Sequence, residues 1–114
     1  MTLRLYGLRN CDTCRKARKA LEAAGHEVEL VDIRAEADLA NKLPVWLRHF
    51  GADKLVNRRS ATWRQLTDAQ KAQADGGDLV TLLCAHPALI RRPVIESGES
   101  VHIGWTEQTE SALT

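Results

Sequence analysis

The first 33 residues read as strand, helix, strand, and that order restricts the fold more than anything else in the chain. Thr2 to Tyr6 alternates, with Leu3 and Leu5 on one face, and Gly7 to Asn10 is a loop. A helix is expected from Cys11 to Ala24, with Cys14, Ala17, Leu21 and Ala24 on one face at spacings of three and four, Ala20 beside them, and Gly25 as its stop. Arg15, Lys16, Arg18 and Lys19 fall mostly on its other faces. Val28 to Ile33 reads as a second strand. A strand–helix–strand unit this short has a right-handed crossover almost without exception, so the two strands are expected to be parallel.

The rest of the chain divides in two. From about Ala35 to His86 the pattern is helices and loops without a strand. Asn41 and Pro44 suit a helix start, Leu43, Trp46, Leu47 and Phe50 give its apolar face, and Gly51 ends it. Thr67 with Gln70 resembles a capping box. Gly76-Gly77 breaks that helix, and Asp78 caps another carrying Leu79, Val80, Leu82 and Leu83, with Pro87 beyond its end. Strands return at Pro93 to Glu96 and Val101 to Trp105, joined through Ser97-Gly98-Glu99-Ser100 as a hairpin. Thr106 caps a last helix through about Leu113. The expected class is α/β: a small mixed sheet, βαβ then ββα, covered by helices and interrupted by a helical insertion of about residues 35–86.

With 114 residues the chain has the size of one domain. Its net charge of +1 gives no global attraction to nucleic acid or to an anionic membrane. No apolar run approaches the roughly 20 residues that span a bilayer. The opening Met1-Thr2-Leu3-Arg4-Leu5 lacks a charged segment followed by an apolar one, so no secretory signal is expected. Three cysteines do not make a disulfide framework, and a cytoplasmic protein with reduced thiols is the expectation.

The chemistry centres on Asn10-Cys11-Asp12-Thr13-Cys14, a C-x-x-C where a strand turns into a helix. At a helix start, unpaired N–H groups and the positive dipole end favour a thiolate, the nucleophilic form of cysteine. Cys11 is therefore the candidate nucleophile. Arg9, Arg15 and Lys16 add positive potential nearby, and Asp12 opposes them. Cys14, three residues on, meets Cys11 on the same side of the first turn but also continues the apolar stripe. A buried second thiol and a more exposed first one follow, with Cys14 either a resolving thiol or a small core residue. A structural zinc would need two more ligands. His26, His49, His86 and His102 form no second pair apart from the loose Cys84-Ala85-His86, and Cys84 reads as core within an apolar helix, so no metal is expected.

Arg91-Arg92-Pro93 is the second constellation. Proline opening a strand belongs at a sheet margin or a special turn, and a cis bond there would aim the backbone at the thiol. Arginine suits forked contact with an oxyanion or carboxylate. Asn57-Arg58-Arg59 is a similar basic spot, without the aromatic interleaving of a nucleic-acid site.

Three separated runs resemble the ArsC/Spx family of thioredoxin-fold proteins, and its small YffB-like arsenate-reductase-related branch in particular. Tyr6-Gly7-Leu8-Arg9-Asn10-Cys11-Asp12-Thr13-Cys14-Arg15-Lys16-Ala17 resembles the nucleophile loop and first helix. Val56-Asn57-Arg58-Arg59-Ser60-Ala61-Thr62-Trp63 resembles the segment after the second helix, and His86-Pro87-Ala88-Leu89-Ile90-Arg91-Arg92-Pro93-Val94 the run into the third strand. The resemblance implies one thioredoxin-like ArsC-type domain over 1–114, a four-stranded mixed sheet with a helical insertion. It implies that Cys11 is the redox nucleophile, that Pro93 is cis beside it, and that Arg92 helps bind an anionic substrate. The expected substrate- and anion-binding set is Asn10, Arg92, Arg58, Arg59 and Pro93.

In the family's arsenate reductases arsenate forms an adduct on the cysteine, glutathione reduces it, and glutaredoxin resolves the mixed disulfide. Those enzymes carry a further arginine in the last strand region, where this chain has Gly104-Trp105, and they lack Cys14. Spx-like proteins do carry the C-x-x-C, and the missing arginine moves the expectation away from arsenate and toward a glutathione-dependent thiol–disulfide oxidoreductase. Glutathione or a small thiol or oxyanion is the expected substrate and glutaredoxin a candidate partner, with no bound cofactor, nucleic acid or membrane, and a monomeric state. Arsenate reductase proper is the neighbouring alternative. A Spx-like redox-sensing regulator that binds a protein partner, with the C-x-x-C as its switch, is the alternative of another class.

Overall fold

The computed structural model describes residues 2–35, 37–75 and 77–114. The chain forms two compact units. One runs to Ala37 and resumes over Arg92–Thr114; the other is Asp38–Arg91.

The first unit holds the sheet. Its elements are β1 (Thr2–Gly7), α1 (Asp12–Ala23), β2 (Glu27–Asp32), β3 (Val94–Ser97) and β4 (Ser100–Ile103), followed by the C-terminal helix Glu107–Leu113. The strand order is β2-β1-β3-β4. β1 and β2 are parallel, with Leu3 opposite Val28 and Leu5 opposite Leu30, as a short crossover through α1 requires. β3 runs antiparallel to β1, and β4 antiparallel to β3. The sheet is thus mixed and four-stranded. α1 starts one residue later than the sequence pattern implies, because Cys11 keeps extended backbone angles and serves as the N-cap.

The period-two pattern of β1 puts Leu3 and Leu5 on the face that meets α1. There they pack with Cys14, Ala17 and Leu21 of α1, Ile95 of β3, and Leu113. Burying each leucine of this cluster contributes about 1.5–3 kcal/mol. The hairpin is tighter than the four-residue loop expected from the sequence. Ser97 pairs directly with Ser100, which leaves Gly98 and Glu99 as the turn. Gly98 has φ 59°, the positive value that a II′ hairpin turn needs at its first central residue. Thr106 caps the last helix, its hydroxyl accepting from the Thr109 N–H at 3.2 Å.

The second unit is helical, with α2 (Leu39–Phe50), α3 (Ala52–Leu55), α4 (Ala61–Arg64), α5 (Asp68–Asp75) and α6 (Leu79–Ala85), then a 3-10 turn Pro87–Leu89. The helix Glu107–Leu113 is accordingly α7. Leu43 and Trp46 of α2 and Leu82 and Leu83 of α6 are buried in this unit. Its base is closed by a bridge between Val56 and Ile90 and by the Asn57 N–H donating to Leu89 O at 2.7 Å. The capping box is present: the Thr67 N–H donates to Gln70 Oε1 and the Gln70 N–H to Thr67 Oγ1.

Three sequence expectations need correction here. α2 begins at Leu39 with Asp38 as N-cap, so Pro44 lies in the helix, exposed, rather than at its start. Asp78 precedes α6 but its carboxylate makes no capping hydrogen bond. Cys84 is exposed, not core. The buried stripe of α6 is Leu79, Leu82 and Leu83, and one further residue is a 100° rotation that turns Cys84 outward. The break expected at Gly76-Gly77 has its first glycine outside the described residues.

Candidate thiol site

The site is built where β1 gives way to α1. β1 ends at Gly7, whose carbonyl accepts the Ile33 N–H at 3.0 Å. Leu8 follows, buried, and its carbonyl accepts the Cys11 N–H at 3.1 Å. Arg9 and Asn10 form an exposed turn, and the Cys11 carbonyl accepts the Arg15 N–H at 3.0 Å as the first helical hydrogen bond. This short loop fixes Cys11 at the N-terminal end of α1, half-buried, with Cys14 one turn further in. Cys14 is only 1% exposed.

Gly7 is a residue the sequence reading did not single out. A Cβ at that position would lie 2.5 Å from Cys14 Sγ, closer than atoms approach, so the absence of a side chain lets the second thiol seat against β1. The available signal was a glycine at the end of an alternating strand, on the same face as Leu3 and Leu5.

The second constellation arrives through the sheet. The β1–β3 register pairs Tyr6 with Val94, and one step further brings Pro93 to the level of Gly7. The Arg92–Pro93 peptide bond is cis. Pro93 is buried, and its carbonyl accepts the Gly104 N–H at 2.8 Å, so the start of β3 is held on both sides. Arg92 is half-buried at this point, and its positive charge acts on both cysteine sulfurs.

The two thiols are electrostatically unequal. For Cys11, burial is the largest influence and raises the pKa. It is outweighed by hydrogen bonding from the Cys14 N–H and thiol, the charge of Arg92, and the Thr13 N–H, leaving the pKa below its ordinary value. For Cys14, burial is again the largest influence. The Leu8 N–H and Arg92 favour its anion, but hydrogen bonding and negative charge at Cys11 oppose them, and the pKa is pushed up to about 12. Of the two, Cys11 is the thiol that ionises first, and its thiolate accepts a hydrogen bond from a Cys14 thiol that stays neutral. Such a thiolate can attack a disulfide or an electrophilic oxyanion centre.

The other basic residues sit differently. Arg58, in the helical unit, donates to Asp75 at 3.0 Å, stands 3.5 Å from Asp53, and lies over the Trp63 ring at 5.4 Å. Arg59 is exposed, its N–H donating to Asn57 Oδ1 at 3.1 Å. Asp12, which the sequence set against the local positive charge, is ion-paired with Arg15. Among the described residues no group of three histidine, cysteine or carboxylate side chains is placed to hold a metal, and no helix is long and apolar enough to cross a membrane.

A half-buried cysteine at a helix start, a cis proline level with the end of β1 and a parallel βαβ joined to an antiparallel hairpin are the features by which the chain can be compared with known proteins. It is 38% identical over 108 residues to an uncharacterized protein of Haemophilus influenzae, covering 95% of each. It is 32% identical over 107 residues to the global transcriptional regulator Spx of Bacillus subtilis, covering 90% of this chain and 79% of that one. Among solved structures a YffB protein superposes with a TM-score of 0.87 at 32% identity, over 97% of both chains. The fold is thioredoxin-like, as in these ArsC-type structures. The ArsC family profile matches residues 6–112, from the end of β1 into α7, and the chain belongs to the ArsC family.

Proposed function

We propose that the protein is a glutathione-dependent thiol–disulfide oxidoreductase with Cys11 as its nucleophile. The observation that carries this reading is the division of the C-x-x-C into a half-buried thiol whose pKa lies below its ordinary value and a buried thiol whose pKa is pushed up to about 12. In the reaction the Cys11 thiolate attacks one sulfur of a glutathione mixed disulfide. A Cys11–sulfur bond forms, the substrate's S–S bond breaks, and the other half leaves as a thiolate. Arg92 favours the attacking thiolate by its charge and supplies a cation for an anionic group of the substrate.

Regeneration of Cys11 has two routes, attack on the mixed disulfide by Cys14 or by a second glutathione. Once Cys11 is tied in a disulfide, its negative charge no longer raises the Cys14 pKa. Burial, the largest cause, remains. External glutathione, or glutaredoxin acting as its agent, is therefore the favoured resolving thiol. Turnover of a glutathione mixed disulfide by wild type and by Cys11→Ser tests the reading: activity lost with Cys11 supports it, and equal rates overturn it.

Arsenate reduction uses the same nucleophile but asks the site to neutralise a doubly charged anion. The position at which family arsenate reductases carry a further arginine is here Gly104-Trp105, with Gly104 at φ 73° and Trp105 packed against the core. The expected outcome is little or no arsenate-dependent glutathione oxidation in the presence of glutaredoxin. A second reading, a redox-sensing regulator, is favoured by the identity to Spx. There, oxidation of Cys11 and Cys14 to a disulfide would change a partner-binding face. Capture of one partner from lysate only in one redox state would support it, and identical captures in both states would remove it.

A further inference from the structure

On the β2 side of α1 lies a cleft of about 350 Å³ lined by Leu8, Arg9, Cys14, Arg15, Arg18 and Leu30. It falls within the size range of small-molecule sites. Its composition is divided: Leu8, Leu30 and Cys14 give it apolar walls, and three arginines give it a positive rim. None of its lining residues is acidic. The nearest carboxylates belong to neighbours of the rim. Asp12 pairs with Arg15 where both side chains are largely exposed, and such pairs are weak and exchange readily with other anions. Arg18 Nε stands 3.7 Å from Glu22 Oε1, beyond hydrogen-bond length, so that contact does not occupy its donors.

The cleft is tied to the redox pair through Leu8. This residue forms one wall, its carbonyl accepts the Cys11 N–H, and its own N–H hydrogen-bonds the Cys14 sulfur. A molecule seated on Leu8, Cys14 and Leu30 therefore lies one loop from the nucleophile.

We propose that this cleft binds the carboxylate-bearing end of a small peptide thiol, Arg15 and Arg18 holding the carboxylates by forked hydrogen bonds and Leu8 and Leu30 receiving the aliphatic part. The proposal rests on the thiol-oxidoreductase reading for the identity of the ligand. It places recognition on α1 and β2, apart from the anion-stabilising role of Arg92.

S-methylglutathione, which keeps both carboxylates but cannot exchange its sulfur, separates binding from chemistry. Titrated into ¹⁵N-labelled protein, it is expected to shift the amides of Leu8, Arg9, Arg15, Arg18 and Leu30. Arg18→Gln and the double substitution Arg15→Gln/Arg18→Gln are expected to weaken binding, the double by about tenfold or more, as loss of charge-assisted hydrogen bonds implies. The proposal is overturned if millimolar ligand shifts no cleft amide, if the shifts centre on Arg92 and β3 alone, or if the double variant binds as wild type does. Mixed-disulfide turnover is read separately. Turnover without cleft binding overturns the cleft and leaves the oxidoreductase reading standing, while cleft binding without turnover does the reverse.

Discussion

Two arginines that look alike in the sequence, each in a short basic run beside a turn, are used differently in the two units of the molecule. Arg92 opens β3 with the sheet's register behind it, and its charge reaches two sulfurs. Arg58, in the helical unit, is neutralised by Asp75 and Asp53 and lies over Trp63. The contrast teaches that the place in the fold, not the local run of basic residues, decides whether an arginine's charge is directed at nearby carboxylates, as at Arg58, or reaches a thiol, as at Arg92. The same rule divides the cysteines. Cys11 sits where N–H groups and a cation outweigh burial; Cys14, one turn away, sits where burial wins.

The sharpest break of that comparison is chemical reactivity. In a Cys84→Ser background, which removes the exposed third thiol, iodoacetamide at pH 7 is expected to modify Cys11 and spare Cys14. A pKa of about 12 leaves Cys14 roughly 10⁻⁵ ionised at that pH. Peptide mapping by mass spectrometry reads the result, and comparable labelling of both cysteines would refute the asymmetry.

Next in size is packing. Gly7→Ala is expected to cost about 1–3 kcal/mol by urea unfolding, because its Cβ would meet Cys14 Sγ at 2.5 Å. Adding Cys14→Ala removes that atom, leaving contacts of 3.3 Å and 3.4 Å to Cys14 Cβ and Leu5 Cδ2. Part of the loss should then be recovered. A Gly7→Ala cost that is unchanged in the Cys14→Ala background would show that the strain lies elsewhere.

The charge itself is tested by pH. Because the Cys11 pKa is lowered, its alkylation rate should still be high below the ordinary thiol range and fall only as pH drops through the depressed value. Arg92→Gln removes one of the causes of the depression, so the midpoint should move up in pH. Arg58→Gln should leave the midpoint in place and cost about 1 kcal/mol or less of stability, as weak exposed ion pairs and one stacking contact are lost. A midpoint that moves equally in both variants would erase the distinction between the two arginines.

Much of this was legible in order of residues alone. The alternation of β1, the Cys14–Ala17–Leu21 stripe of α1, the Thr67–Gln70 capping box and the Thr106 cap are local, and local periodicity and capping chemistry specify them. The C-x-x-C and its position at a helix start are local too. The misreadings share a cause. An apolar run does not say which of its faces is buried, which is why Cys84 reads as core, and Pro44 looks like a first-turn residue although α2 already begins at Leu39, with Asp38 in the N-cap position but making no side-chain capping hydrogen bond.

The sequence by itself determined a parallel βαβ, a later hairpin, and a nucleophilic cysteine at a helix N-terminus, because each depends on neighbours within a few residues of chain. Only the tertiary structure decided which arginine acts on the thiols, that Gly7 makes room for Cys14, and that Arg15 and Arg18 rim a cleft with Leu30. Those relations join residues far apart in the chain, through the strand register that brings Pro93 to the level of Gly7, and through the packing of α1 on β1 and beside β2. Charge, burial and close approach in space set them, and none of the three can be read from spacing along the chain.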